Sequence, residues 1–146
     1  MFRGQFSHTI DSKNRVSIPS GFRVELQKSG GQAPILSDDQ GCLVLYPYAE
    51  WCTYEDKILA ASTTNSRVRK FTRLKLSSAT ETPIDSQGRI LIPPFLRERA
   101  GLTRDVMIIG HGKNIELWDP ERFEADINET QEHYDEIADV ISGLGT

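Results

Sequence analysis

Two acid–base pairs are the residues of this sequence best suited to chemistry. In each pair an arginine follows an aspartate by four positions: Asp11 with Arg15, and Asp85 with Arg89. Arginine carries a planar fork of five N–H donors, which suits phosphate groups and the edges of guanine bases. Aspartate accepts hydrogen bonds from backbone N–H groups two residues further on and so shapes a turn. The pairs indicate either a surface for nucleic acid or plain architecture, in which the aspartate caps a turn and the arginine pairs with it.

Catalysis and metal binding find little support in the residue spacing. The histidines, His8, His111 and His133, have no metal-ligand spacing, and none accompanies a nucleophile motif. No glycine-rich phosphate loop precedes a predicted helix. Cys42 and Cys52 also lack metal-ligand spacing, and we expect them to be reduced structural thiols. We therefore predict no catalytic residue, no metal, no cofactor and no small-molecule substrate.

An internal repeat contains both pairs. Residues 10–19 (IDSKNRVSIP) and 84–93 (IDSQGRILIP) are identical at six of ten positions, at an offset of 74. A second match in the same order, at an offset of 72, relates Leu45 to Leu117. A repeat of this length determines the architecture, because each copy is expected to form the same structural unit. The chain is therefore predicted to contain two copies of one small unit.

The repeated unit has a strand and turn pattern. Asp11 to Asn14 and Asp85 to Gly88 predict tight hairpin turns that join two neighbouring strands, with a positive φ at Asn14 and Gly88. In each copy, the sequence pattern predicts the order strand, turn, strand, helix, strand, turn, strand. The helices are predicted over 22–28 and 94–100, and the later strands over 33–37, 42–46, 106–111 and 114–118.

Helices link and follow the two copies. The predicted organisation is a first unit over 5–50, connecting helices over 51–77, a second unit over 78–122 and a C-terminal acidic helix over 123–146. Within the connection, residues 66–76 form a basic amphipathic segment, for which a solvated helix face is the plain alternative. The acidic helix begins near Pro120 and carries one apolar stripe: Phe123, Ile127, Tyr134, Ile137 and Ile141.

Charge is divided unevenly along the chain. The formal net charge is −4, which alone argues against a nucleic-acid partner. Residues 116–146, however, hold ten acids and one base, whereas residues 1–115 hold 16 bases and 11 acids. The chain is thus a mildly basic body with an acidic tail, and the tail can simply be a solvated helix face. No apolar run is long enough to cross a membrane, so we expect a cytosolic protein.

Several segments together resemble the MraZ family of bacterial transcriptional regulators, in the AbrB/MazE-like superfamily. They run in order along nearly the whole chain: Met1-Phe2-Arg3-Gly4, residues 10–15, Leu45-Tyr46-Pro47, residues 85–93 and Glu116-Leu117-Trp118. The resemblance implies an α+β fold with a mainly β core, in which a tandem pseudo-repeat of AbrB-like units forms a double-split β-barrel with added helices.

The resemblance also implies a function. Members bind double-stranded DNA sequence-specifically as ring-shaped homo-oligomers, and we expect an octamer or a larger ring. They regulate the division and cell-wall gene cluster through repeated sites upstream of it. This function implies no enzymatic activity and a place in the cytoplasm, on the nucleoid. The DNA-binding positions carried over from the family are Lys13 and Arg15 in the first turn, Arg89 in the second, and Arg3 in the N-terminal motif.

Four further positions are expected to fix the two hairpins: Asp11, Asp85, Asn14 and Gly88. Two departures from the family pattern stand out. Asn14 replaces the usual glycine, which keeps a residue tolerant of left-handed backbone but alters how the loop approaches a ligand. Gln87 stands where the first turn has Lys13, and the missing charge favours an assembly role for the second turn.

Two other classes of function stay open. The first is an interaction module whose main ligand is a protein, engaged through the acidic tail, as in antitoxin relatives of the AbrB-like group. The second is an enzyme built on a small barrel, which requires His8 together with aspartate and serine side chains in one cleft.

Overall fold

The computed structural model describes residues 1–61 and 64–144. Residues 62–63 and 145–146, which belong to the predicted connecting and tail segments, lie outside the described residues. Eight strands and six α-helices make up the described part. In chain order they are β1 (Gln5–Thr9), β2 (Arg15–Ser17), α1 (Ser20–Leu26), β3 (Ile35–Asp39), β4 (Cys42–Tyr46), α2 (Tyr48–Leu59), α3 (Ser66–Ser78), β5 (Thr80–Glu81), β6 (Arg89–Leu91), α4 (Pro94–Arg99), β7 (Asp105–His111), β8 (Asn114–Trp118), α5 (Pro120–Glu132) and α6 (Tyr134–Leu144).

The strands of the two copies are exchanged. Six strands form one antiparallel sheet in the order β1-β7-β8-β4-β3-β5. The central neighbours β4 and β8 are equivalent strands of the two copies, and each copy's first strand pairs with the other copy's third: β1 with β7, and β5 with β3. The order therefore reads the same from both edges once equivalent strands are matched. Two sequence copies have become one pseudo-symmetric body.

The predicted hairpin pairing is wrong. β1 does not pair with β2; instead β2 and β6 form a separate antiparallel ribbon, with Val16 opposite Ile90. The two copies carry the same strand pattern, so local sequence cannot say which copy supplies the partner. The exchange is favourable because it buries Val16 and Ile90 together, at 1% and 0% exposure. The turns at 11–14 and 85–88 are present as predicted.

Both copies share the larger of two apolar clusters in the described residues. It includes Val16, Ile18, Ile90 and Ile92 from the ribbon region, and a smaller cluster surrounds Trp51. The sheet stays open, with β1 and β5 at its edges. The predicted fold class, α+β with a mainly β core of two repeated units and added helices, is confirmed, although the barrel is not closed. The unit limits 5–50 and 78–122 stay predictions.

The tail contains two helices where one was predicted. α5 ends at Glu132, and α6 begins after His133, whose backbone (φ −111°, ψ 20°) leaves the helical region. No proline or glycine marks the break in the sequence, which explains why the apolar stripe alone predicted a continuous helix. Among residues 1–61 and 64–144, no helix combines the length and the apolar character needed to cross a membrane.

Candidate nucleic-acid interface

The first turn is held by the carboxylate of Asp11. Its Oδ1 accepts hydrogen bonds from the backbone N–H groups of Lys13 (2.8 Å) and Arg15 (3.0 Å). The backbone N–H of Asn14 donates to the Asp11 carbonyl at 3.1 Å. The second turn repeats each bond 74 residues later, with Asp85 Oδ1 accepting from Gln87 N (2.8 Å) and Arg89 N (2.9 Å), and Gly88 N donating to Asp85 O (3.0 Å). Because the aspartate is present in both copies, the two turns have the same hydrogen-bond pattern.

Both turns end in left-handed backbone, as predicted. The φ angles are 62° at Asn14 and 78° at Gly88. A Cβ atom on Gly88 would overlap the guanidinium of Arg23, which packs against the turn from α1. Glycine therefore suits position 88 because of its positive φ, and a larger residue would also have to displace the Arg23 side chain. At position 14 the side chain has room and a partner.

Strand exchange places the two turns side by side. The backbone N–H of Ile18 donates to the Gly88 carbonyl at 2.9 Å, and that of Ile92 donates to the Asn14 carbonyl at 2.8 Å. Each turn is thus tied to the strand that leaves the other turn. We call residues 11–14 and 85–88, with the ribbon β2–β6 that joins them, the turn pair.

The two arginines of the turn pair differ in their partners. Arg89 Nε lies 3.2 Å from Asp85 Oδ2, and Arg89 Nη1 lies 3.5 Å from Asp11 Oδ2. Arg15 is half-buried, and within the described residues its side chain forms no hydrogen bond or ion pair. Asp85 and Arg89 therefore form an ion pair, whereas Asp11 and Arg15 are joined by a backbone hydrogen bond and by a charge attraction without a close ion pair. One guanidinium is held by two carboxylates, and the other is available to a ligand.

The carboxylates are stabilised in their charged form. The backbone hydrogen bond from Arg15 is the main cause of the lowered pKa of Asp11, helped by the Lys13 N–H and by the charges of Arg89 and Arg15. The pKa of Asp85 is lowered mainly by the backbone hydrogen bond from Arg89 and then by that from Gln87. At neutral pH both turns therefore carry a fixed negative charge beneath their basic groups.

These lowered pKa values predict an acid dependence of stability. A carboxylate whose folded-state pKa lies below its unfolded value of 3.8 stabilises the fold at pH values above that value. The contribution is lost as the pH falls through the lower folded-state pKa. In the variant Asp11→Asn with Asp85→Asn, we expect lower stability at pH 7 and a shallower loss below pH 3.8, measured by urea unfolding across pH. Parallel curves for the variant and the wild type would contradict this role.

The basic residues predicted for DNA contact are not all brought together. Lys13 is exposed at the tip of the first turn, and Arg15 and Arg89 lie on the outer face of the ribbon, opposite to buried Val16 and Ile90. Arg3 is exposed but precedes β1, beside Gly110 of β7, whereas the first turn follows the far end of β1. The structure thus groups Lys13, Arg15 and Arg89 and leaves Arg3 apart.

Sequence reasoning missed the role of two arginines on the short helices. Arg97 of α4 donates from Nη1 to the Asn14 side-chain oxygen at 2.7 Å, and also bonds the carbonyls of Leu102 and Thr103. Arg23 of α1 stands at the equivalent place against Gly88. Their common offset of 74 marked them as repeated residues. Nothing in that spacing showed that each helix supports the turn of the other copy.

Substitutions at Asn14 separate conformation from hydrogen bonding. Asn14→Gly keeps the left-handed backbone but loses the bond from Arg97, and we expect a loss of about 1 kcal/mol. Asn14→Ala also places an ordinary side chain at a positive φ, and we expect a loss of about 2 kcal/mol. The measurement is the free energy of unfolding in urea. Equal losses in the two variants would show that backbone strain is not part of the cost.

The residues considered for catalysis do not form a site. Ser7, His8 and Asp105 line one groove. Ser7 and His8 are neighbours on β1, however, so their side chains leave opposite faces of the strand, and the hydroxyl of Ser7 donates to Met107 Sδ at 3.8 Å. In the described part of the chain, no group of three or more histidine, cysteine or acidic residues could hold a metal ion. Cys42 and Cys52 are free thiols, and burial raises the pKa of Cys42.

The fold and the turn pair define a class of protein: a tandem, strand-exchanged pair of AbrB-like units with one basic ribbon on its surface. Comparison with known proteins narrows the class. A family model described as "MraZ protein", whose description also carries the words "antitoxin-like", matches residues 1–74 and 76–139. The chain belongs to the MraZ family, and the predicted resemblance is confirmed.

Named relatives agree over almost the full length. The chain is 41% identical over 144 residues to the "Transcriptional regulator MraZ" of Syntrophobacter fumaroxidans, covering 99% of this chain and 96% of the relative. It is 41% identical over 145 residues to the protein of the same name from Halothermothrix orenii, covering 99% of each. It is 42% identical over 139 residues to that of Carboxydothermus hydrogenoformans, covering 95% of each. These names describe a regulator of transcription, in agreement with the prediction that the chain is not an enzyme.

Proposed function

We propose that the chain is a sequence-specific regulator of transcription that contacts double-stranded DNA through its turn pair. The single observation that carries the proposal is the exchange of strands, which sets two turns of the same type side by side. Within the described residues the Arg15 side chain has no hydrogen bond or ion pair, and Lys13 is exposed at the tip. A free guanidinium beside an exposed ammonium group is suited to DNA.

The turn pair fits the major groove of DNA. That groove admits a two-stranded β-ribbon, and an arginine fork can donate to both O6 and N7 of one guanine. In this arrangement Arg15 reads a base, while Lys13 contacts a phosphate as a point charge. Arg89 makes a smaller contribution, because two carboxylates already hold its guanidinium. Arg3 contacts phosphates outside the footprint of the turn pair.

Assembly into a ring supplies the affinity that one chain lacks. A single turn pair makes only a few phosphate contacts, too few for tight binding at physiological salt. In a homo-oligomeric ring, an octamer or larger, each further contact becomes intramolecular and adds avidity. The matching target is DNA with regularly repeated sites, as expected upstream of the division and cell-wall gene cluster. A protein with this target acts in the cytoplasm, on the nucleoid.

Methylation protection tests the proposed groove. Dimethyl sulfate modifies guanine N7 in the major groove and adenine N3 in the minor groove, so one reaction reports both. On DNA from upstream of this protein's own gene, we expect bound protein to protect guanine N7 at regularly repeated positions. Protection confined to adenine N3 would overturn the major-groove contact, and a uniform pattern would overturn sequence-specific binding.

An interaction module with a protein ligand is the second candidate. The observation that favours it is the tail, where α6 exposes Ile137 at 43%, Ile141 at 65% and Leu144 at 81%. A different protein that copurifies with the chain, and is lost when the tail is altered, would support this candidate. A tail that binds only other copies of the chain would reject it.

A further inference from the structure

The tail helix α6 presents an apolar surface that the described chain does not cover. Tyr134, Ile137, Ile141 and Leu144 recur at steps of three and four residues and so share one face. Their exposed fractions range from 43% at Ile137 to 81% at Leu144. We call these four residues the tail stripe. A helix with such a stripe is stabilised mainly by packing, so the stripe calls for a partner.

A second apolar surface lies between α2 and α3. This groove of about 460 Å³ is lined by Tyr54, Ile58, Val68 and Phe71, with Lys57 and Arg67 at its rim. Phe71 remains 45% exposed there. Within the described residues, neither Lys57 nor Arg67 forms an ion pair, so both charges are available to an incoming acidic segment. We call this surface the α2–α3 groove.

The two surfaces have opposite charge. The groove side belongs to α3, which exposes Arg67, Arg69, Lys70 and Arg73 and has no acidic residue. The tail from residue 124 to residue 144 carries seven acidic residues and neither lysine nor arginine. Charges of opposite sign around two apolar patches favour their encounter and fix their orientation. The tail stripe and the α2–α3 groove are therefore complementary, because both are apolar and their surrounding charges are opposite.

The repeat explains why the partner is a second copy. α2 and α3 follow β4 as α5 and α6 follow β8, so α3 and α6 hold equivalent places in the two copies. α3 packs against β3, whereas α6 makes its main contact with α5, which rests on β7. In the sheet, β7 and β3 lie on opposite sides of the central β8–β4 pair. The tail thus leaves the body on the half away from the groove of its own chain.

We propose that the tail stripe of one copy docks in the α2–α3 groove of the next copy. This contact joins two different surfaces, so it repeats head to tail and generates a ring when the rotation between copies closes. Every subunit then gives one tail and receives one. The inference rests on the proposed function, which includes a ring, and it identifies the contact between neighbouring subunits of that ring. The acidic tail is thereby placed in the ring, on a surface other than the turn pair.

Charge reversal on the full-length chain tests the contact. The groove variant is Lys57→Glu with Arg67→Glu, and the tail variant is Asp135→Lys with Glu136→Lys, two positions that flank the stripe. The matched control, Lys57→Arg with Arg67→Lys, keeps the charge of the rim. Analytical ultracentrifugation measures the protein concentration at which each assembly dissociates. Because like charges now face each other, we expect each reversal to raise that concentration about tenfold or more.

The decisive sample carries all four reversals in one chain, which restores opposite charges between groove and tail. We expect it to reassemble, and the charge-conserving control to sediment as the wild type does. If both reversals leave the ring intact, or if the four-substitution chain fails to reassemble, the tail–groove contact is overturned while the ring itself stands. A wild-type chain that is monomeric at every concentration would instead overturn the ring. Loss of a different copurifying protein, with the ring unchanged, would assign the tail to that protein.

Discussion

Arg15→Ala is expected to weaken binding to the preferred DNA site by about a hundredfold or more in the assembled ring. One bidentate contact between arginine and guanine contributes about 1–3 kcal/mol of discrimination. In the proposed ring several subunits engage repeated sites, so the loss is multiplied by avidity. The fold is expected to remain, because the Arg15 side chain has no hydrogen bond or ion pair within the described residues. Fluorescence anisotropy measures the affinity, and urea unfolding measures the stability.

Two control variants make this result specific. Arg15→Lys keeps the charge but lacks the planar fork, so we expect retained binding to any duplex and a reduced preference for the site. Lys28→Ala removes an exposed lysine that pairs with Glu25, away from the turn pair and from the α2–α3 groove, and we expect little change in affinity. An Arg15→Ala chain that binds as the wild type does would remove Arg15 from the interface.

Gly110→Ala is expected to cause the largest loss of stability among the predicted variants, about 3 kcal/mol. A Cβ atom at this position would overlap the backbone of Arg3, and backbone cannot move aside as a flexible side chain can. The N-terminal segment must then leave β7, together with the bonds that pair Phe2 with Gly112. Phe2 is 4% exposed and stacks edge-on against Phe22, so its burial is lost as well.

Gly21→Ala is the matched control for this prediction. A Cβ atom on Gly21 meets nothing within 4 Å, and the residue lies in α1 with ordinary helical backbone. We expect this variant to be unchanged or more stable by less than about 1 kcal/mol, since alanine favours helix over glycine. Urea midpoints of the two variants give the comparison. Equal urea midpoints for Gly110→Ala and Gly21→Ala would show that packing of the N-terminal segment does not depend on the absence of a side chain at position 110.

The local parts of the site could be predicted because their causes are local. An aspartate bonds the N–H groups of its own turn, and Asn14 or Gly88 adopts the left-handed conformation that the turn requires. The later strands of each copy and the short helices follow from periodicity and turn residues for the same reason, whereas the fold class is implied by the family resemblance. The repeat itself is visible because both copies retain the residues that shape their turns.

Long-range partners could not be predicted, because equivalent residues look alike in the sequence. The pairing of β2 with β6 places Val16 and Ile90 together in a core shared by both copies, and local sequence does not reveal a contact between copies. Lys75 gives a second example: periodicity placed it on a basic helix face. It is instead 5% exposed, with Nζ 3.0 Å from Asp39 Oδ1 and 2.9 Å from the Asp38 carbonyl. A buried lysine of this kind fastens α3 to β3 and contributes no surface charge.

The proposed function requires a ring of turn pairs that reads repeated DNA sites. The most direct test is fluorescence anisotropy on DNA from upstream of this protein's own gene, beside a scrambled duplex of equal length, at several salt concentrations. We expect tight binding that prefers the native duplex and weakens steeply with salt, because many phosphate contacts form at once. Equal affinity for both duplexes, or a shallow salt dependence, would overturn the proposed DNA-binding ring and favour a protein as the main ligand.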